Sequence, residues 1–253
     1  IESYKKMGLD YLNPEKMYQF ELATLLANEH IRYGIQLLDG YENLSTRRQQ
    51  FIRDFVNQFT TQKIDLATKR TSFESPDYRR LLSMMNVKYV ISTVELNFPF
   101  IKLLNSKIPG SSIPLAVYEN PGVLPRFYFV ASQNFIPQGL PDEMIQQELK
   151  KVPDFSRSAL IECNNCNATP DSIGTVSIKS YLPGKVEVET NNATGSWLIF
   201  SESLLLGWHA SIDDIATPIY PANYLFQAVR VPAGKHVIRF KYDLFKPEIL
   251  FWK

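Results

Sequence analysis

Lys185-Val186-Glu187-Val188-Glu189 alternates charged and apolar side chains, and this alternation decides the fold of the chain's last third. Successive side chains of an extended strand point to opposite faces, so both valines share one face and the charges share the other. On a helix the same residues would be scattered around the circumference. The stretch reads as a strand with one face on a core and one in solvent.

Working outward, turn residues punctuate the sequence on both sides: Leu182-Pro183-Gly184 before, then Asn191-Asn192, Asp213-Asp214 and Pro232-Ala233-Gly234 after. Between them lie segments suited to strands at 173–181, 185–190, 197–201, 208–212, 217–220, 226–231 and 236–242. Short strands separated by turn residues predict an antiparallel β-sandwich of jelly-roll or immunoglobulin-like kind. Pro232-Ala233-Gly234 reads as the turn that lets 226–231 run back as 236–242 at a sandwich corner, and Gly207 before Trp208 permits a bulge or a close approach.

Residues 1–160 read differently, as helices mixed with a few strands. Asn13 caps a helix with Pro14 at its first position, and Met17, Phe20, Leu25 and Leu26 form a broken apolar stripe. Over 43–59, Phe51, Ile52, Phe55, Val56 and Phe59 share one helical face, with Arg47, Arg48, Arg53 and Asp54 on the other. Ser75-Pro76 starts a further helix carrying Leu81, Leu82 and Met85, which Asn86 ends before a strand at 87–91. Strands at 115–118 and 126–130 flank Glu119-Asn120-Pro121-Gly122, which predicts a hairpin, and a short helix follows at 141–151. The expected class is α+β, with a mixed domain over 1–160 and an antiparallel β-sandwich over 161–253.

The composition fits a globular chain: of 253 residues, 45% are hydrophobic and 13% aromatic. A net charge of +1, from 27 basic and 26 acidic side chains spread along the sequence, provides no field for a polyanion, so nucleic acid is excluded as a partner. The longest apolar stretches, at 98–104 and 204–208, fall far short of the roughly 20 residues that span a bilayer. The chain opens on Ile1, and its closing run from Leu244 to Lys253 mixes Phe, Trp and Lys. That run suits either a segment approaching a membrane interface or a last strand docking on the core. Both ends read as cuts from something longer.

Candidate chemistry is sparse. Cys163-Asn164-Asn165-Cys166 holds both cysteines, and outside the cytoplasm such a pair closes a small-loop disulfide. A zinc site needs two more ligands, and His30, His209 and His236 are scattered singly. His209 has no nucleophile motif beside it, and the neighbouring carboxylates Asp213 and Asp214 diverge in a turn instead of facing each other across a glycosidic bond. The triplets at Asn43, Asn167 and Asn192 match glycosylation acceptors and read as incidental. No catalytic residue, metal ligand or cofactor site is expected. For binding, the candidates are Trp208, Tyr220, Asn223 and Tyr224: Asn223 suits an Asx turn, and the aromatic rings either pack the sheet or present a platform on which a sugar stacks.

The ordered stretch Gly207-Trp208-His209-Ala210, then Pro218-Ile219-Tyr220-Pro221-Ala222-Asn223-Tyr224-Leu225-Phe226-Gln227-Ala228-Val229-Arg230-Val231-Pro232-Ala233-Gly234-Lys235-His236, resembles the C-terminal extracytoplasmic region of YfhO-type bacterial membrane proteins. Tyr33-Gly34-Ile35, Asp39-Gly40-Tyr41, the stretch 81–91 and Val117-Tyr118-Glu119-Asn120 leading into Leu124-Pro125-Arg126 fit the same pattern. Asp213-Asp214 departs from it, since the family commonly has an Asp-Gly hairpin turn there.

The resemblance implies a soluble domain on the extracytoplasmic face of a bacterial membrane. It implies anchoring through flanking transmembrane helices, within a multi-span glycosyltransferase that uses lipid-linked sugars. The family's acidic catalytic residues sit near its early membrane helices, outside this sequence, so no catalytic residue is carried over. The implied role is to position a cell-envelope glycan or lipid-linked sugar. The alternatives are a carbohydrate-binding module and a structural or assembly domain of the envelope without catalysis.

Overall fold

The computed structural model describes residues 46–50, 64–65, 70–71, 76–92, 95–96, 100–109, 112–169 and 174–243. These fall into two compact units, Ile1–Val123 and Leu124–Lys253. The expected helix at Asn13, the Tyr33 and Asp39 motifs and the closing run from Leu244 lie outside the described residues. Of the helix expected over 43–59, the described part starts at Thr46. There Thr46 and Gln49 form a reciprocal cap: the Thr46 backbone N–H donates to Gln49 Oε1 (2.8 Å) and the Gln49 N–H donates to Thr46 Oγ1 (3.1 Å). Among the described residues no helix is long and apolar enough to cross a membrane.

In the first unit, two short strands, β1 (Ile64–Asp65) and β2 (Arg70–Thr71), precede helix α1 (Pro76–Met84). Leu81, Leu82, Met84 and Met85 are buried, and Asn86 ends the helix in the left-handed region at φ 60°. β3 (Tyr89–Ser92), β4 (Glu95–Leu96), β5 (Ile101–Lys107) and β6 (Pro114–Glu119) follow. β4 runs parallel to β2, while β6 is the central strand of an antiparallel sheet between β3 and β5. Tyr118 on β6 is buried, and its hydroxyl accepts the Leu96 N–H at 3.0 Å.

The hairpin expected across residues 119–122 does not form, because both edges of β6 are already occupied by β3 and β5. Asn120 instead fastens the end of β6. Its fully buried carboxamide donates to Ser83 Oγ (3.1 Å) and the Val87 carbonyl (3.0 Å), and its Oδ1 accepts the Gly122 N–H (3.1 Å).

The second unit is mostly β structure. Its strands are β7 (Phe127–Val130), β8 (Ser132–Ile136), β9 (Ser158–Glu162), β10 (Thr175–Leu182), β11 (Lys185–Asn192), β12 (Ser196–Phe200), β13 (Trp208–Ile212), β14 (Ile215–Thr217), β15 (Tyr220–Ala222), β16 (Phe226–Val231) and β17 (Gly234–Tyr242). A six-stranded sheet runs β7-β12-β16-β15-β9-β8, and a five-stranded antiparallel sheet runs β10-β11-β17-β13-β14. Phe127, Phe129, Leu198, Phe200, Val229 and Val231 from the first join Val186, Val188, Ala210, Ile212, Ile238 and Phe240 from the second in one apolar cluster. The valines of the Lys185–Glu189 stretch thus face inward, and their strand pattern alternates as its sequence predicts.

The other residues of the same strands, among them Tyr128, Val130, Trp197, Ile199 and Ala228, form a second cluster on the opposite face of the six-stranded sheet. β7 and β12 are accordingly buried at every residue and lack any polar alternation.

Helix α2 (Asp142–Lys151) connects β8 to β9, which pair in parallel, so β8–α2–β9 is a crossover unit inside an otherwise antiparallel sheet. Acidic Asp142 and Glu143 in its first turn and Lys150 and Lys151 in its last match the helix dipole. The domain boundary expected at 160/161 falls inside β9, since the units divide at Val123 and Leu124. The strand expected over 217–220 splits into β14 and β15, which belong to different sheets. Pro218 lies at the crossing, where no ladder N–H is required. Likewise β16 and β17 belong to different sheets, so Pro232-Ala233-Gly234 is a corner and not a hairpin, with Gly234 at φ 116°.

Candidate functional site

The stretch from Gly207 to His236 supplies β13 to β16 and the corner into β17, and its four candidate binding residues do not converge. Gly207, at φ 108°, brings the chain into β13, and its carbonyl accepts the Asp243 N–H at 2.9 Å. Trp208 is half-buried, pairs in register with Tyr242, and packs on the apolar cluster between the sheets. Its ring centroid lies 5.3 Å from that of Tyr242 and 5.8 Å from that of Phe200. Tyr220 lies edge-on to Trp197, with centroids 5.2 Å apart, on the opposite face of the six-stranded sheet. One sheet therefore separates the two rings.

Asn223 and Tyr224 are buried, at 0% and 1% exposure, in the loop between β15 and β16. Both backbones are left-handed, at φ 48° and 69°. The loop turns tightly there, and an Asn tolerates this region better than most residues. The Asn223 side chain then replaces a strand neighbour: its Oδ1 accepts the Leu160 N–H (2.9 Å), its backbone N–H donates to the Leu160 carbonyl (2.7 Å), and its Nδ2 donates to the Tyr128 hydroxyl (3.4 Å). Burial holds the Tyr128 phenol far above its ordinary range, so it stays protonated. Asn223 thus joins β15 to β9, and Trp208, Tyr220 and Tyr224 do not form one exposed platform, the alternative in which the rings stack on a sugar.

Asp213 and Asp214 both adopt positive φ, at 49° and 67°, between the paired residues Ile212 and Ile215. This is the two-residue hairpin geometry that Asp-Gly also serves. Asp213 then bridges to β17. Its Oδ1 accepts the Val237 N–H (2.9 Å) and its Oδ2 meets His236 Nδ1 (2.7 Å), while His236 Nε2 lies 3.1 Å from the Ala233 carbonyl. The hydrogen bond to Asp213 raises the His236 pKa, and the same bond, with that from Val237, lowers the Asp213 carboxyl. Asp214 pairs with Arg239, which also binds Glu187 Oε2 at 2.7 Å. Glu187 and Arg239 lie on the outer face of the five-stranded sheet, whereas His236 has the strand parity of the buried Ile238 and Phe240, and together these ion pairs fasten the turn.

Cys163 and Cys166 form a disulfide, with Cα atoms 5.7 Å apart, directly after β9. Cys163 belongs to the second apolar cluster and Cys166 packs against it, so the bridge holds the loop onto the six-stranded sheet. Of the acceptor-type asparagines, Asn192 is buried at the end of β11 and Asn167 is exposed.

A further polar group draws on residues distant in sequence. The Arg126 guanidinium stands 5.7 Å from the Tyr181 ring and 3.7 Å from Glu202 Oε2, and donates to the Ser201 carbonyl (3.0 Å). Tyr181 Oη lies 3.1 Å from the same Glu202 oxygen. Burial, and then the Glu202 carboxylate, push the Tyr181 phenol up to about 12. The group presents a protonated phenol and a guanidinium to one carboxylate. No local motif marks it, because its members come from three separate segments. Comparison of the chain with family models, curated proteins and solved structures finds no match.

Proposed function

We propose that this chain is the extracytoplasmic part of a membrane glycosyltransferase of the YfhO type, with its second unit a β-sandwich of jelly-roll or immunoglobulin-like kind. The unit acts as a scaffold that holds a cell-envelope glycan or lipid-linked sugar near the membrane, while residues elsewhere in the enzyme make the bond. The observation that carries this reading is the Cys163–Cys166 disulfide seated on the sheet. Disulfides persist in oxidising compartments and are rare in the cytosol, so this bridge fits a domain outside the cell.

The motif behind the family resemblance agrees with a supporting role. Its Gly207, Asn223 and Gly234 set turns and corners, and its Tyr224 is buried. A scaffold needs those residues for shape, whereas an independent sugar-binding module needs them at the surface.

The test uses the intact protein in its own membrane. A membrane-impermeant maleimide is expected to label Cys163 and Cys166 only after an external, impermeant reductant has opened the bridge. Labelling that requires cell lysis would overturn the extracytoplasmic assignment. Removal of 124–243 from the intact protein is expected to abolish sugar transfer from a lipid-linked donor, and the isolated chain is expected to transfer none. Transfer by the isolated chain would refute the scaffold role.

A further inference from the structure

One end of the second unit gathers lysines and exposed leucines. Residues directly opposite in an antiparallel pair share a face. Leu182 of β10 lies opposite Lys185 of β11, Lys185 opposite Lys241 of β17, and Lys241 opposite His209 of β13. Their strand neighbours Val186, Phe240 and Ala210 are buried between the sheets, so these four side chains form one row on the outer face of the five-stranded sheet, and all four are exposed. Trp208 and Tyr242, paired in register and half-buried, lie at the same end. Gly207 accepts the Asp243 N–H there, which places Leu206 at this end too. Leu206 is 62% exposed and Leu182 56%.

Charge and the path of the chain narrow what can cover this end. Lysines directly opposite each other repel, and Asp243, 3.5 Å from Lys241, offsets only one of the two. Glu187, in the next row, is held by Arg239, and Glu202, beside Tyr181, lies 3.7 Å from Arg126. The row therefore keeps a positive surplus. Side chains on one face of adjacent strands stand roughly parallel, about 5 Å apart, so Lys185 and Lys241 do not converge on one point and suit a plane of phosphates better than a single bound anion. From Asp243 the sequence continues as Leu244-Phe245-Lys246-Pro247-Glu248-Ile249-Leu250-Phe251-Trp252-Lys253, so the same end leads into a run of Phe, Trp and Lys. Lysines beside exposed leucines, with Trp and Tyr at the margin, are complementary to the interface of an anionic bilayer.

We infer that this end of the second unit docks on an anionic membrane surface, with Leu182 and Leu206 entering the headgroup region and Lys185 and Lys241 meeting lipid phosphates. The inference rests on this end of the sandwich and not on the glycosyltransferase reading, so either can fail without the other: the vesicle test needs no sugar donor. The full chain is co-sedimented with phosphatidylcholine vesicles, with and without phosphatidylglycerol. Binding is expected to the anionic vesicles and to weaken with added salt. Lys185→Gln with Lys241→Gln is expected to lower the partition about thirtyfold, from the attraction of each lysine to an anionic surface. Leu182→Ser with Leu206→Ser is expected to lower it about tenfold or more, since each exposed leucine loses its apolar transfer. Arg230→Gln with Lys235→Gln removes the same charge at the opposite end of the sandwich, where β16 turns into β17, and should bind as the parent does. All six positions are exposed, so the fold should persist, and an unchanged melting temperature checks this. Absence of binding to anionic vesicles would overturn the proposal, as would undiminished binding by the Lys185 and Lys241 variant. An equal loss in the Arg230 and Lys235 variant would also overturn it, because net charge alone would then account for binding. So would a self-association in sedimentation velocity that the leucine variant abolishes while vesicles capture nothing, because the occupant would then be a second copy.

Discussion

Asn223 carries two separable loads, a left-handed backbone and a buried acceptor for the Leu160 N–H. Asn223→Ala places a Cβ-bearing residue in a disfavoured region and leaves a buried donor unpaired, which costs about 2–4 kcal/mol. Asn223→Gly keeps the backbone freedom and loses only the side-chain bonds, so chemical denaturation should show it less destabilised than the alanine variant by about 1 kcal/mol. Equal losses would mean that the backbone conformation adds nothing.

His236 and Asp213 make a second residue-scale case, with opposite pH dependences. The folded-state pKa of His236 is raised, so its contribution is complete below the ordinary histidine value and disappears as pH rises through the raised one. That of Asp213 is lowered, so its contribution is present above the ordinary carboxyl value and disappears as pH falls through the lowered one. Asp213→Asn keeps a residue that tolerates positive φ and removes the charge. The gap in melting temperature between parent and variant should be widest between the two ordinary values and narrow as pH rises through the raised histidine pKa, since the Val237 N–H and Arg239 still favour the carboxylate. A gap that persists unchanged into alkaline buffer would show that the ion pair contributes nothing.

At the scale of elements, the corners between sheets hold the second unit together. Gly174 leads into β10 where a Cβ would lie 2.8 Å from the Asn191 carbonyl oxygen and 2.8 Å from Phe129 Cδ2. One of these atoms is backbone and the other belongs to a buried ring, so neither yields cheaply. Gly174→Ala is expected to destabilise by about 1–3 kcal/mol, read as a shift in the urea midpoint at unchanged slope. The β8–α2–β9 crossover is the other decisive element. Its parallel pairing places β9 beside β15, where Ala222 opposes Ile161 and Asn223 completes the junction.

For the whole molecule, the division at Val123 and Leu124 makes 124–243 the piece with its own core. A fragment of those residues is expected to unfold in one cooperative transition. A fragment starting at 161 lacks β7, β8 and most of β9, strips β12 of one partner, and should not fold; cooperative unfolding of that shorter piece would reverse the assignment.

The amino-acid order by itself determined the local structure of the last third. Strict alternation at Lys185–Glu189 and the turn residues around it fixed strand positions, because backbone conformation and the facing of alternate side chains are local properties. β13 and β16 fall where the sequence reading puts them, and the Asn86 helix end likewise. Only the tertiary structure decided which strands pair, because pairing depends on which edges remain free. β6 is flanked by β3 and β5 and so cannot join β7, and the strand expected over 217–220 divides between the two sheets. It also decided which rings are accessible: the sequence leaves Tyr224 either packing the sheet or forming a platform, and in the fold it is buried.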